Sequence, residues 1–254
     1  MPPDFLYSWT ESGMFLFILL VTGLVALAVH LLFLWRRLAP PTLADLSPVL
    51  QTLCGTLFVL SVTFLANTVW QTEGRAREQV NAEARNMRLI RTDMDALAGP
   101  AHDGLLKTLS EYASAVESEW PGMASSGGSP QAEQQLSGLY RAAMLGLADG
   151  EQNRLLQQRI LAALDAMSQA RQTRLTIARS EQVSSGQWFT VTSMALLLLV
   201  VIAVCHARSH RARGVALAIM TLAISISAFE ILAHDRPFAG YLAISPNPIL
   251  EAAR

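Results

Sequence analysis

The sequence predicts an all-α membrane protein: four transmembrane helices in two hairpins, with a helical soluble domain inserted between spans two and three. Three observations lead to this fold class. The chain has four long apolar runs, separated by short connections or by one long charged segment. Only 15% of its 254 residues are charged, whereas soluble domains usually have about 25%, and the mean hydropathy is +0.33. In the charged segment, residues 71–187, no run of alternating apolar and polar residues bounded by turn signals indicates a β-strand.

The first transmembrane hairpin is predicted over residues 14–70. Its first span, Met14–Trp35, follows an N-terminal tail, residues 1–13, which lacks Lys and Arg and so lacks the basic start of a secretory signal peptide. A basic pair and two prolines then end the helix. The second span, Val49–Trp70, has 22 residues without a charge, enough to cross the hydrocarbon core of a bilayer.

The second span also has a polar face, which makes it the main candidate for function. At about 100° per residue, Thr52, Thr56, Thr63 and Asn67 fall within roughly 60° of one another on a helix. The candidate lining residues on this face, which we call the polar stripe, are Thr52, Thr56, Val59, Thr63 and Asn67. Polar groups need partners in hydrocarbon, so the stripe should face protein or water. Two interpretations remain: it lines a path between subunits, or it forms hydrogen bonds between packed helices.

Residues 71–187 are predicted to form the soluble domain, because they contain 12 Lys or Arg and 14 Asp or Glu in 117 residues. Helices are expected over Glu73–Leu97, Gly104–Trp120 and Ala132–Leu147, and a long fourth helix is expected to run toward Trp188. The first should continue span two as one rod, with apolar residues at the spacing of a packed helix. Those residues are Val80, Ala84, Met87, Ile90, Met94 and Leu97.

The second transmembrane hairpin is predicted over residues 188–233, with one span at 188–205 and the other at 214–233. The first of these is the most uniformly apolar run in the chain and the best candidate for lipid contact. The C-terminal tail, residues 234–254, is too rich in proline to continue the last helix.

Two ionisable residues stand near the end of the last span. Glu230 and His234 are spaced for a hydrogen bond on one helical face. An ionisable group within a span is by default a candidate ion or proton site. The other interpretation is that Glu230 extends to the membrane surface from the helix end or pairs with Arg236.

No pattern in the sequence predicts an enzyme, a catalytic residue or a cofactor, because nucleotide-binding and hydrolase motifs do not occur. Cys54 and Cys205 lie in apolar runs far apart and are interpreted as packing residues. A net charge of -1 without a basic stripe predicts no nucleic-acid partner. Three carboxylates near Tyr112 could be arranged around a cation, but charges on a helix face are usually solvated, so no metal site is predicted. They are Glu111, Glu117 and Glu119.

The orientation in the membrane follows from the two short connections between spans. Both are basic, with Arg36 and Arg37 in one and three arginines within 208–213 in the other. The positive-inside rule weighs such short connections most, so they should face the cytoplasm, with the termini and the helical domain on the outer side. Six arginines also flank the membrane on the domain side, but long domains translocate with little regard to charge.

The chain resembles the bestrophin-like-domain family of bacterial membrane proteins. Three features carry the resemblance: the polar second span running into a helix with Glu83 and Ala84, the stretch YASAVESEWP at 112–121, and the closing DRPFAG at 235–240. The resemblance implies a multi-pass protein of the bacterial inner (plasma) membrane and kinship with pentameric anion channels. Because the chain lacks the aromatic neck and the acidic calcium clasp of true bestrophins, it implies no calcium gating.

These observations lead to one functional prediction and one alternative. The prediction is a homo-oligomer, by resemblance a pentamer, whose second spans surround a path for small ions through the lipid bilayer. The alternative is a non-conducting membrane-anchored sensor or scaffold whose helical domain binds a ligand or a protein partner. In that case the domain should associate through its Val80–Leu97 face.

Overall fold

The structure is a computed structural model that describes residues 9–36, 47–95, 100–145, 151–180 and 182–254. These residues are mostly helical and contain no strand, which confirms the predicted all-α class. The helices are α1 (Glu11–Arg36), α2 (Ser47–Asp95), α3 (Pro100–Glu119), α4 (Met123–Ser126), α5 (Pro130–Leu145), α6 (Glu151–Arg179), α7 (Ser185–Cys205), α8 (His210–His234) and α9 (Asn247–Ala253).

Four of the described helices are long and apolar enough to cross a membrane: α1, α2, α7 and α8. They contain the four predicted spans. Helix α8 begins four residues before its predicted span, because the Ser209 side chain accepts a hydrogen bond from the Ala212 amide and caps the helix there. Helix α7 begins in the same way at Ser184, whose side chain and that of Gln187 form a capping box.

The first compact unit comprises Met1–Gln71 and Glu181–Arg236. Helix α1 packs closely along α8, and α7 packs against both of them. The predicted pairing of the spans into two hairpins stays a prediction. The centre of this unit is an apolar cluster made of Ala26, Cys54, Phe58, Ala195, Leu198, Leu199, Val201, Ile202, Leu217 and Ile224.

The second compact unit comprises Thr72–Ser180 and Pro237–Arg254. Helix α3 packs against α5 and α9, and α6 packs against α4 and α5. The apolar residues expected on the first soluble helix are central to this core: Val80, Ala84, Met87, Ile90 and Met94 are all buried. The C-terminal tail contains α9, which the proline content of the tail did not indicate. Ile249 and Ala252 of α9 are buried in the same core.

Several helix boundaries differ from the prediction. Helix α2 runs without a break through Gly74, so the expected continuous rod is confirmed. Helix α3 begins at Pro100 rather than Gly104, since proline is well tolerated in a first helical turn. Helix α6 ends at Arg179, so the fourth soluble helix does not run on to Trp188 as expected. The turns predicted around Arg37, Gly99 and Gly150 fall outside the described residues.

Candidate functional site

The polar stripe of α2 is exposed in the single chain. Its members Thr52, Thr56, Val59, Thr63 and Asn67 all lie on the surface. The opposite face of the same helix is buried through Cys54, Phe58, Leu65 and Val69. Helix α2 therefore packs on its own chain along one apolar edge, and it leaves exposed both the polar stripe and large apolar side chains such as Leu57 and Phe64.

The threonine hydroxyls of the stripe bond to the helix that carries them. Thr56 Oγ1 donates to the carbonyl oxygen of Thr52 at 2.8 Å, and Thr63 Oγ1 donates to that of Val59 at 2.8 Å. This bond to the carbonyl four residues earlier is a usual arrangement for threonine within a helix. The stripe thus presents hydroxyl oxygens, threonine methyl groups and the Asn67 amide to whatever lies against it.

Glu230 and His234 lie on the same face of α8, as their spacing predicts. Glu230 Oε2 and His234 Nε2 are 3.9 Å apart, too far for the expected hydrogen bond. The Glu230 side chain is 52% exposed, so its carboxylate is not enclosed by the described residues. A role for this pair as an ion or proton site stays a prediction.

The second unit contains a cluster of buried charges that the sequence interpretation missed. We call it the buried charge cluster: Glu83, Tyr112, Glu119, Arg171 and Arg174. Arg174 Nε donates to Glu83 Oε2 at 2.9 Å, and its Nη2 donates to Glu119 Oε1 at 3.3 Å. Arg171 forms a bidentate ion pair with Glu119: Nη1 donates to Oε1 at 2.7 Å and Nη2 donates to Oε2 at 2.9 Å. The Tyr112 hydroxyl donates to Glu83 Oε1. The cluster therefore links α2, α3 and α6.

Charges and burial shift the proton affinities in this cluster. Burial, and next the negative charge of Glu83, hold the pKa of the Tyr112 hydroxyl well above its ordinary value. Burial works against the charged form of Arg174, but Glu83, Tyr112 and Glu119 outweigh it and raise the pKa of Arg174. At neutral pH the tyrosine is thus a neutral donor and the arginine a cation.

Trp120 connects the cluster to the C-terminal tail. Its Nε1 donates to the carbonyl oxygen of Ile244 at 2.7 Å, and its ring meets the ring of Phe238 edge-on, with centroids 5.7 Å apart. The Arg174 guanidinium carbon lies 4.7 Å from the centroid of the Trp120 ring. Residues of all three stretches that carry the family resemblance therefore meet at one place in this unit.

The three carboxylates near Tyr112 are not gathered around a common point. Glu119 is buried and paired with two arginines, whereas Glu111 and Glu117 are exposed on α3. Glu111 lies 3.9 Å from Lys107, one turn earlier. Within the described ranges, no group of three metal-ligating side chains is close enough to hold an ion.

A signal for the buried charge cluster was present in the sequence. Arg171 and Arg174 continue the apolar spacing of α6, set by Leu164 and Met167, into Ala178. Glu83 likewise falls on the buried face of α2. A charged residue at a core position of a helix indicates a buried partner of opposite charge. The sequence interpretation instead counted Arg171 and Arg174 among the arginines that flank the membrane.

Comparison with known proteins agrees with this architecture. A model of the bestrophin-like domain matches residues 16–249, so the chain belongs to the bestrophin-like family of integral membrane proteins. A single-site variant of a bacterial bestrophin homologue from Klebsiella pneumoniae has a similar structure, with a TM-score of 0.73 at 11% sequence identity, covering 94% of this chain and 97% of that chain.

Two further solved structures are similar. Another structure of a bacterial bestrophin homologue from Klebsiella pneumoniae gives a TM-score of 0.72 at 10% identity, covering 94% of this chain and 95% of that chain. The structure of a variant membrane protein gives 0.73 at 11% identity, with 94% and 95% covered. At these identities the likeness concerns the fold. No curated protein matches the sequence.

Proposed function

We propose that this protein is a homo-oligomeric ion channel in which the α2 helices of several copies surround a water-filled path. The polar stripe would line that path and would select small ions through its hydroxyl and amide dipoles. The bestrophin-like family membership supports anions as the ions and five as the number of copies. The family resemblance supports a bacterial inner membrane location, and the basic connections support an orientation with the helical unit on the periplasmic side.

One observation carries the proposal: the polar stripe of α2 is exposed in the single chain, whereas Cys54, Phe58, Leu65 and Val69 of the same span are buried. Lipid is a poor environment for threonine and asparagine side chains. If the stripe were an adhesive surface within one chain, it would be buried against α1, α7 or α8. Exposure in the single chain instead favours contact with other copies or with water.

Ion flux through liposomes that contain the purified full-length protein tests the proposal. We expect the wild type to pass ions and the double variant Thr56→Leu with Thr63→Leu to pass about tenfold fewer, since two bulky apolar side chains per subunit favour drying of the path. The matched control is Thr22→Leu with Thr190→Leu. These threonines lie in α1 and α7 and bond to the carbonyl four residues earlier, as Thr56 and Thr63 do.

The control variant should conduct like the wild type. Equal flux through the wild type and the stripe variant would contradict the proposed lining. Loss of flux in both double variants would show instead that added bulk anywhere in the spans disrupts the assembly.

The alternative, a non-conducting sensor or scaffold, has one supporting observation. Helix α2 runs unbroken from an apolar span into the helical unit, which suits a rod that carries a displacement. The contact surface first expected for it was wrong, because the apolar face from Val80 to Met94 is buried in the core of its own chain. A sensor of this kind would bind its partner through another surface and would pass no ions in the liposome experiment.

A further inference from the structure

A groove between α1 and α8 has features of a ligand site that ion conduction does not require. Its volume is about 410 Å³, within the range of roughly 300–1,000 Å³ usual for small-molecule pockets. Most of its lining is apolar, including Leu19, Gly23 and Leu217. His30 and Gly214 stand at one end and Thr221 lies deeper, and we call this feature the α1–α8 groove.

A buried cation lies beside the His30 end of the groove. The Arg213 side chain is 3% exposed, and its Nε donates to His30 Nδ1 at 3.3 Å. Its guanidinium carbon lies 6.0 Å from the centroid of the Phe33 ring. Among the residues that the structure describes, no carboxylate pairs with Arg213. A buried guanidinium without a negative partner is unfavourable, so this position favours an anionic ligand group.

A buried hydroxyl in the groove also lacks a partner. Thr221 is 6% exposed, and its Oγ1 makes no hydrogen bond with any described residue. An unsatisfied buried hydroxyl is unfavourable by about 1–3 kcal/mol in protein measurements. Thr221 is eight residues, about 12 Å, along α8 from Arg213, so its hydroxyl would lie against the acyl chain and not against the headgroup.

The length and position of the groove fit one leaflet of a bilayer. From Leu19 to His30 the groove follows α1 for about 16 Å, at 1.5 Å per residue. Half of a hydrocarbon core of about 30 Å is about 15 Å. Leucines on the outer faces of both helices are exposed beside it, among them Leu20, Leu24 and Leu222. The groove is thus set at the depth of an acyl chain.

We propose that the α1–α8 groove binds an anionic phospholipid. One acyl chain would lie along the groove, and the phosphate would lie at its His30 end, where Arg213 is hydrogen-bonded to His30. Basic pockets between transmembrane helices are a known way of holding anionic headgroups. The site is independent of the proposed path, because α2 contributes nothing to its lining.

Native mass spectrometry of the full-length protein in detergent tests this site, with phosphatidylglycerol as the anionic probe and phosphatidylcholine as the zwitterionic one. We expect phosphatidylglycerol to bind about tenfold more tightly than phosphatidylcholine, because a charge-assisted contact provides about that difference in affinity. Arg213→Gln should remove this preference. Its control is Arg211→Gln, which removes an exposed arginine of the same helix turn.

A second variant tests the groove itself and does not depend on Arg213. A Cβ atom at Gly23 would meet nothing within 4 Å, so a side chain can leave the helix toward the groove at this position, and Gly23→Leu should occupy part of the groove. We expect it to weaken binding of both lipids by about tenfold or more. Ala28→Leu adds three of the same four carbons on the exposed side of α1 and should leave binding unchanged.

Unchanged phosphatidylglycerol binding in Gly23→Leu would overturn the proposal, and so would equal affinity for the two lipids in the wild type. Displacement of the lipid by inorganic phosphate alone would also overturn it, because a headgroup site would then suffice without the groove. The lipid count does not depend on flux, so a failure of this site and a failure of the conduction proposal are distinguishable.

Discussion

Arg174 connects most of the buried polar groups of the helical unit. Its guanidinium pairs with Glu83 and Glu119, and it lies over the Trp120 ring. Both carboxylates are fully buried, so neither can turn to water if the arginine is removed. Substitution of Arg174 should therefore be strongly destabilising. Its two partners lie far from it in the sequence.

We expect Arg174→Met to destabilise the protein by about 3–5 kcal/mol, because it leaves two buried carboxylates without their shared cation. The measurement is thermal unfolding in detergent, followed by the helical circular dichroism signal. Arg77→Met is the matched control. Arg77 is 57% exposed and pairs with Glu73 one turn away, an arrangement that contributes only about 0.3–0.5 kcal/mol. Equal loss of stability in both variants would contradict the importance of the buried charge cluster.

The Tyr112 hydroxyl should make stability depend on alkaline pH. Its pKa in the folded protein is raised, so its neutral form favours folding, and that contribution is complete below the unfolded pKa of about 10. As the pH rises above about 10, the unfolded state releases the proton first and the contribution is lost. We expect the unfolding midpoint to fall in this range and Tyr112→Phe to reduce the fall.

Tyr241→Phe serves as the control, because Tyr241 is 77% exposed. Tyr140 contributes in the same direction, since partial burial and its hydrogen bond to Asp165 raise its pKa to about 12. An unchanged pH profile in Tyr112→Phe would contradict the role of the buried hydroxyl.

Among the elements, α9 has only seven residues, but it contributes to the core of the helical unit. Ile249 is fully buried in the core of the helical unit, far in sequence from the helices it contacts. Together with the Trp120 bond to Ile244, it makes the C-terminal tail a structural part of that unit. The helical unit therefore forms from two separate stretches of chain.

We expect Ile249→Ala to destabilise the protein by about 2–5 kcal/mol, because it leaves a cavity in a closed core. Tyr241→Ala, at an exposed site in the same tail, should change stability by no more than about 0.5 kcal/mol. The same detergent unfolding experiment measures both. If Ile249→Ala behaves like the exposed variant, the tail does not contribute to the core.

At the scale of the whole molecule, the sequence predicts the helices much better than the contacts between them. Four apolar runs and the spacing from Val80 to Met94 are local patterns, so both were predicted correctly. The buried charge cluster pairs residues as far apart in sequence as Glu83 and Arg174. The C-terminal tail is held by a hydrogen bond from Trp120, also far away in sequence. No local pattern specifies such pairings, and a charged residue at a core position was the only available sign.

The proposed ion path shows the same contrast between a local pattern, which the sequence predicts, and its contacts, which the sequence does not predict. The polar stripe is readable from the sequence because threonine and asparagine recur on one helical face. Whether that face meets water, lipid or another copy depends on the assembly. The single chain covers only the opposite face of α2 and leaves the stripe exposed. This exposure argues against a dry contact within one chain.

If α2 lines an ion path as proposed, the direction of two hydroxyl protons would affect which sign of ion passes most easily. Thr56 and Thr63 point their protons back at backbone carbonyls, so a cation would meet oxygen lone pairs directly. An anion would first have to draw those protons outward, giving up intrahelical bonds worth about 0.5–1.5 kcal/mol each. Passage of anions, the ions proposed above, would therefore require rotation about one side-chain bond in each threonine.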